Sequence, residues 1–252
     1  MKIGEIIDIS TEYTPNESSM VFLIMGCDLN CDFCNKLHLL QIEGVEDYEI
    51  KKLLALVNTN YIVKNIHITG GEPLLKDDVI NFTRRLKELD KHISIRTNGF
   101  RPKKIKRILP YINRIILNLK GPVNKKRYFQ ISNTDLNIDS LIESFKLLNQ
   151  QKQAVFDITT EYVKNLMVPE DIHQIFKFLI DNKFTGKFIL QQYDHLEGVD
   201  EEFKQKFKKP EHIDLINLLK PYVDKDLPFR IFLEDDVYDH TEIHKVFQKI
   251  TM

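Results

Sequence analysis

Runs of apolar residues alternate with helical apolar patterns along the chain. Residues 20–25 are apolar at every position, which is typical of a strand buried on both faces of a parallel sheet. Further strands are predicted at 65–69, 92–97, 114–119, 154–160 and 187–192, with an edge strand at 229–233. Apolar spacings of three and four residues predict helices at 47–58, 77–89, 139–150, 170–181 and 212–222.

Repeated strand–helix units imply parallel pairing and right-handed crossovers. About six such units are too few for a closed eight-stranded barrel. The pattern therefore predicts an α/β fold, an open partial (β/α)6 barrel with a parallel sheet. We expect a single domain over 1–252, with its core at about 19–193 and a C-terminal extension at 194–252.

In such sheets the chemistry is expected at the carboxyl ends of the strands. Candidate residues lie at or just beyond the end of a predicted strand in five cases: Cys27, Gly70, Thr97, Lys120 and Gln192. These positions are therefore the first place to look for a site.

Charge and composition exclude several classes of protein. The 252 residues include 36 basic and 37 acidic side chains, and this near balance gives no general attraction to nucleic acid or to anionic membranes. No stretch approaches the roughly 18–20 apolar residues of a membrane span, and the first residues lack a signal-peptide layout. The three cysteines, an odd number in one short segment, are a poor disulfide framework. We expect a soluble protein of the reducing cytoplasm.

The cysteines form a Cys-x3-Cys-x2-Cys loop directly after the first buried strand, at Cys27, Cys31 and Cys34. Three thiolates within eight residues can converge on one metal centre. With His38 they could form a Cys3His zinc site. Alternatively, they could hold an iron–sulfur cluster in which one iron has no protein ligand. The loop alone does not distinguish the two.

Two motifs together carry a family resemblance. An aromatic residue, Phe33, stands directly before the third cysteine, and the segment Gly70-Gly71-Glu72-Pro73 follows the second strand. In this order, the motifs resemble the cysteine signature and the GGEP motif of the radical S-adenosylmethionine (radical SAM) superfamily. The resemblance implies a [4Fe–4S] cluster on the three cysteines, with S-adenosylmethionine on the open iron. Reductive cleavage would give a 5′-deoxyadenosyl radical that abstracts hydrogen from a substrate.

The resemblance also implies cofactor contacts. Gly70 and Gly71 would let the backbone approach the methionine moiety, and Glu72 would pair with its ammonium group. Thr97 and Asn98 would contact the ribose. The remaining candidates for cofactor binding are Phe33, Pro73, Lys120 and Gln192. The alternatives are a plain turn with an exposed Glu72, a plain turn at Thr97, and a surface lysine at 120.

Within the superfamily, the segments 8–27, 96–99 and 190–193 are similar to glycyl-radical-enzyme activating proteins, in particular the anaerobic ribonucleotide reductase type. This similarity implies a glycyl radical enzyme as partner and reduced flavodoxin or ferredoxin as electron donor. Asn118-Leu119-Lys120 departs from the Asp-x-Lys of these proteins.

That departure leaves open a radical SAM enzyme that modifies a small molecule, a nucleoside or a peptide. Lys120-Gly121-Pro122 is similar to the corresponding segment of 7-carboxy-7-deazaguanine synthases. No cysteine remains after Cys34 for a second cluster.

Two basic runs, 101–107 and 125–127, have two interpretations. Each is either a solvated helix face or a docking surface for an acidic partner or RNA.

Overall fold

A computed structural model describes residues 1–14, 17–195, 198–225, 227–233, 237–239 and 242. The strands in these ranges are β1 (Ile3–Thr14), β2 (Glu17–Ile24), β3 (Asn65–Gly70), β4 (His92–Thr97), β5 (Arg114–Asn118), β6 (Val155–Tyr162), β7 (Phe188–Gln192), β8 (Phe229–Phe232) and β9 (Val237–Asp239). The α-helices are α1 (Ile50–Thr59), α2 (Asp78–Lys87), α3 (Pro102–Ile108), α4 (Lys125–Ser132), α5 (Ile138–Gln150), α6 (Pro169–Asp181), α7 (Glu201–Lys206) and α8 (His212–Leu219).

The chain divides into two compact units. The first unit consists of Met1–Asn30, Lys36–Leu117 and Asp139–Phe156. The second unit consists of Cys31–Asn35, Asn118–Ile138 and Asp157–Met252. The predicted boundary between a core at 19–193 and an extension at 194–252 stays a prediction, and much of the segment after 233 lies outside the described residues.

In the first unit, β1 to β5 lie side by side in chain order. The pairs from β2 to β5 are parallel, whereas β1 is antiparallel to β2. Val21 and Phe22 are consecutive in β2 and both are fully buried, so this strand is covered on both faces, as its apolar run predicts. Phe22 packs edge-to-face on Phe82 of α2 with ring centroids 5.2 Å apart.

The sequence pattern does not predict β1, although it is a long strand. Its pairing with β2 is irregular, with register shifts between Ile3 and Glu5, between Ile7 and Ser10, and between Ser10 and Thr14. Each bulge breaks the alternation of apolar and polar residues that marks a half-buried strand. The missing period-2 signal explains why the strand was missed.

In the second unit, β6 to β9 also follow chain order. The N–H of Leu119, just after β5, donates to the carbonyl of Thr159 in β6 at 2.9 Å. β6, β7 and β8 are parallel, and β9 is antiparallel to β8. The segment at 229–233 is therefore not the predicted edge strand, because β8 has a neighbour on each side. Phe176 of α6 packs against Phe188 of β7 and Phe229 of β8, and these three rings are part of the core of this unit.

Parallel strands with helices between them confirm the predicted α/β fold of the partial-barrel class. The five helices predicted from apolar spacing are present as α1, α2, α5, α6 and α8, α3 lies at the basic run 101–107, and α4 and α7 are additional. Within the described ranges, no helix has both the length and the apolar content needed to cross a bilayer.

Candidate functional site

The cysteines lie in the loop that follows β2. Cys27 and Cys34 are partly exposed, Cys31 is buried, and none of the three forms a disulfide. The N–H of Leu29 donates to Sγ of Cys27 at 3.4 Å. Among the described residues, no three Cys, His, Asp or Glu side chains lie close enough together to hold one metal ion. The structure thus places the thiols in one loop, and among the described residues it does not gather the Cys3His set with His38 around one metal ion.

The chemistry of the loop nevertheless fits an iron–sulfur cluster, because all of its candidate ligands in the family motif are thiols. The second unit adds a further observation: among the described residues, the buried hydroxyl of Tyr193 has no hydrogen-bond partner. Its ring packs on Phe33, the residue directly before Cys34, with centroids 6.0 Å apart. A buried orphaned hydroxyl next to a cysteine motif is expected where a ligand completes the site.

Gly70 and Gly71 let the end of β3 approach the chain that leads into the cysteine loop. A Cβ on Gly70 would lie 2.4 Å from the backbone N and O of Ile24, and one on Gly71 would lie 2.1 Å from the oxygen of Gly26. Gly70 also has a φ of +118°, which favours glycine. The need for glycine is therefore explained by contact between two strand ends. The approach of the methionine moiety stays a prediction.

Glu72 is fully buried, so the alternative of an exposed glutamate is wrong. Its Oε1 accepts hydrogen bonds from the N–H of Leu74 and the hydroxyl of Thr97, both at 2.8 Å. Its Oε2 accepts from the N–H of Asn98 at 2.7 Å. Burial raises the pKa of Glu72 to about 7. The three hydrogen bonds lower this pKa, but their effect is smaller than that of burial. The nearby charge of Asp28 also raises this pKa.

Pro73 follows Glu72 as the first residue of a short 3-10 turn, Pro73–Leu75, where its missing N–H leaves no donor unsatisfied. The Glu72 side chain caps this turn. The GGEP motif therefore forms a compact turn whose carboxylate points into the protein.

Thr97 is the last residue of β4 and Asn98 follows it, and both side chains form hydrogen bonds within the first unit. The Thr97 hydroxyl donates to Glu72, and Nδ2 of Asn98 donates to Oδ1 of Asp28 at 2.7 Å. The other Asp28 oxygen accepts from Nη1 of Arg101. The sequence places Arg101 only in a basic run and does not single out Asp28, because only tertiary contact pairs the two. The structure thus brings Glu72, Thr97 and Asn98 together, and their contacts with a cofactor stay predictions.

Lys120 is not a surface lysine. Its Nζ lies 2.7 Å from Oε2 of Glu161, with the side chains only 16% and 17% exposed. It also lies 5.6 Å from the ring centroid of Phe33, within cation–π distance. Burial lowers the pKa of Lys120, but the charges of Glu161, Cys31 and Cys34 outweigh it and raise the pKa overall. Glu161 is a candidate site residue that sequence reasoning missed, because nothing local pairs it with Lys120.

The side chain of Gln192 forms a hydrogen bond with the backbone of the second unit. Its Nε2 donates to the carbonyl of Pro210 at 2.8 Å. The neighbouring Gln191 accepts a hydrogen bond from the Thr159 hydroxyl at 2.9 Å. Adjacent glutamines on a strand point to opposite faces, as expected. The assignment of Gln192 to the cofactor stays a prediction.

The basic runs are largely paired within their own units. In the first run, Arg107 pairs with Asp77 at 2.8 Å and Arg101 with Asp28. In the second run, Arg127 makes two hydrogen bonds to the carboxylate of Asp171, at 2.8 and 2.6 Å. These pairs favour a structural role over a docking surface at these three arginines.

Replacing Tyr193 with phenylalanine is expected to have opposite effects on stability and on cofactor binding. Tyr193 as a whole is only 1% exposed, and the change removes its buried hydroxyl, which has no partner among the described residues, so the metal-free chain should gain up to about 1 kcal/mol in free energy of unfolding. The reconstituted protein should bind S-adenosylmethionine more weakly. Urea unfolding and equilibrium dialysis measure the two effects. The exposed Tyr61→Phe serves as control, and unchanged affinity would remove Tyr193 from the site.

The fold, the cysteine loop and the glycine-rich turn agree with one family model. Residues 21–179 match the model of the radical SAM superfamily. The chain belongs to the radical SAM superfamily. It is therefore a radical SAM enzyme, and its cofactors are a [4Fe–4S] cluster and S-adenosylmethionine. When bound, the cluster and S-adenosylmethionine would supply a 5′-deoxyadenosyl radical, and the chain would supply the ligands and the orientation.

Two kinds of relative resemble the chain along most of its length. A protein of Methanocaldococcus jannaschii assigned as a glycyl-radical enzyme activating enzyme is 28% identical over 88% of this chain and 93% of its own length. A protein of Saccharolobus islandicus assigned as a GTP 3′,8-cyclase is 26% identical over 92% of this chain and 88% of its own length.

Solved structures support the fold. Streptococcus suis SuiB bound to S-adenosylmethionine aligns with a TM-score of 0.64 at 23% identity over 85% of this chain. The chain spans about half of SuiB, 49% of its length. TYW1 with a lysine-pyruvate adduct aligns with a TM-score of 0.65 at 16% identity, over 88% of this chain and 77% of TYW1. At these identities the likeness establishes the fold alone.

Proposed function

We propose that this radical SAM enzyme is an activating enzyme that abstracts hydrogen from a glycine of a partner glycyl radical enzyme. The observation that carries the proposal is the match to the Methanocaldococcus jannaschii activating enzyme over 88% of this chain and 93% of that protein. We further propose reduced flavodoxin or ferredoxin as electron donor and the cytoplasm as location.

Each unit has its own group of candidate cofactor-binding residues. In the first unit, Cys27 begins the cluster loop, and Glu72 with Thr97 and Asn98 forms a buried polar turn where parallel strands end. In the second unit, Lys120 contacts both Phe33 and Glu161, and Phe33 packs on Tyr193. Three of these residues, Lys120, Glu161 and Tyr193, lie at the ends of β5, β6 and β7. Within its own unit, each group lies at the carboxyl ends of strands, where α/β sheets bind ligands.

A second candidate function is modification of a small molecule. It is favoured by the similarity to the GTP 3′,8-cyclase of Saccharolobus islandicus over 92% of this chain. Lys120 also pairs with Glu161, and residue 118, two positions before it, is asparagine and not an acid. The activating enzymes carry Asp-x-Lys there, so this departure supports a different substrate pocket.

The test is to mix the anaerobically reconstituted enzyme, reductant and S-adenosylmethionine with a glycyl radical enzyme encoded beside its gene. The expected result is 5′-deoxyadenosine together with a glycine-centred doublet in the electron spin resonance spectrum. Omission of the partner should remove the doublet. Release of 5′-deoxyadenosine without a doublet, but with consumption of GTP in place of the partner, would instead support the second candidate.

A further inference from the structure

The start of the cysteine loop is tied to the end of β4 by one carboxylate. Asp28 directly follows Cys27, and its two oxygens accept hydrogen bonds from different residues, Asn98 and Arg101. Asn98 also donates its backbone N–H to Glu72. We refer to Asp28, Asn98 and Arg101 as the Asp28 cluster; all of it lies in the first unit.

The cluster is shielded from water, which strengthens its bonds. Asn98 is buried, and the Asp28 and Arg101 side chains are 14% and 24% exposed. A hydrogen bond between an ionised donor and an ionised acceptor is stronger than one between neutral groups, and low local dielectric strengthens it further. We therefore expect these hydrogen bonds to stabilise the loop more than an exposed ion pair, such as that between Arg107 and Asp77, would.

Charge gives a second reason for this arrangement. A loop that presents several thiolates accumulates negative charge, and a carboxylate next to Cys27 adds to it. The guanidinium of Arg101 compensates the charge of Asp28 and so limits the repulsion of the neighbouring thiolate. An unpaired Asp28 would instead favour displacement of the loop from the site.

We propose that Asp28, Asn98 and Arg101 are positioning residues that hold the start of the cysteine loop in place before any cofactor binds. Asn98 acts in this role through its side chain, in contrast to the ribose contact that the family resemblance implies. The inference rests on the first unit's own contacts and not on the proposed activating function, so either can fail without the other.

The experiment uses the full, reduced, metal-free chain and measures alkylation of Cys27 by iodoacetamide, read by peptide mass spectrometry. Asp28→Asn, Arg101→Met and Asn98→Ala are each expected to raise the alkylation rate of Cys27 about tenfold, as expected for local opening after loss of one strong hydrogen bond. Asp77→Asn and Arg107→Met are matched controls from an exposed ion pair. Arg107 lies on α3, the helix that begins directly after Arg101, and neither control should change the alkylation rate.

Two further measurements separate positioning from general damage. Arg101→Lys retains the charge and should restore much of the slow alkylation. After reconstitution, Asp28→Asn and Arg101→Met should lose iron to a chelator faster than wild type, while urea unfolding of the metal-free chains stays cooperative. The proposal is overturned if Cys27 alkylation matches wild type in Asp28→Asn and Arg101→Met. It is also overturned if Asn98→Ala changes only the affinity for S-adenosylmethionine.

Discussion

Replacing Cys31 with alanine is expected to abolish iron retention and with it all formation of 5′-deoxyadenosine. Removing one of three thiolates leaves a cluster with two protein ligands, too few to hold it. The metal-free variant should still fold, because Cys31→Ala removes one sulfur atom from a buried side chain and its expected loss of stability is only about 1–2 kcal/mol. Iron and sulfide per chain after anaerobic reconstitution are the quantities to measure.

His38→Ala is the informative control for this prediction. His38 would be the fourth ligand of a Cys3His zinc site, yet its side chain is exposed. We expect His38→Ala to retain iron, sulfide and activity at wild-type levels. A Cys31→Ala protein with full iron content would contradict the cluster assignment, and a chain that loses bound zinc on His38→Ala would support the zinc alternative.

Replacing Glu72 with glutamine is expected to change how stability depends on pH. Burial raises the pKa of Glu72 from its ordinary 4.5 to about 7, so between these values the folded chain holds a proton that the unfolded chain releases. The free energy of unfolding of the wild type should therefore fall as pH rises from about 4.5 to about 7, by roughly 3 kcal/mol from this group. Below this range, both states are protonated and the contribution is constant.

Glu72→Gln removes this pH dependence, because an amide does not titrate. It also puts an amide N–H₂ against a backbone donor, either Leu74 or Asn98, which should cost about 1–3 kcal/mol at pH 5. The stability difference between wild type and variant should therefore be large at pH 5 and shrink by pH 8. Urea unfolding of the metal-free proteins at both pH values measures it.

Glu88→Gln provides the matched comparison. Glu88 is exposed and pairs with Arg85 on the surface, so this change should affect stability little and equally at the two pH values. If Glu72→Gln behaves like Glu88→Gln, the carboxyl of Glu72 does not titrate near pH 7 in the folded chain, and the explanation from burial is wrong.

Local pattern was sufficient for the strands that are covered on both faces. The apolar run at 20–25 is recognisable because burial on both faces favours apolar residues at every position. The pattern failed for β1, whose bulges break the alternation, and for the edge assignment at 229–233, where β9 adds a neighbour. Both failures concern how strands pair, which depends on residues distant in the chain.

The sequence by itself determined the α/β alternation, the cysteine loop and the GGEP turn, because each of them depends on residues that are adjacent in the chain. Only the tertiary structure decided that Glu72 is buried, that Asp28 joins Asn98 to Arg101, and that Lys120 pairs with Glu161. These pairs join residues 41 to 73 positions apart in sequence. Parallel strands bring their carboxyl ends to one edge, so residues far apart in the chain meet there, and no local pattern encodes which of them pair.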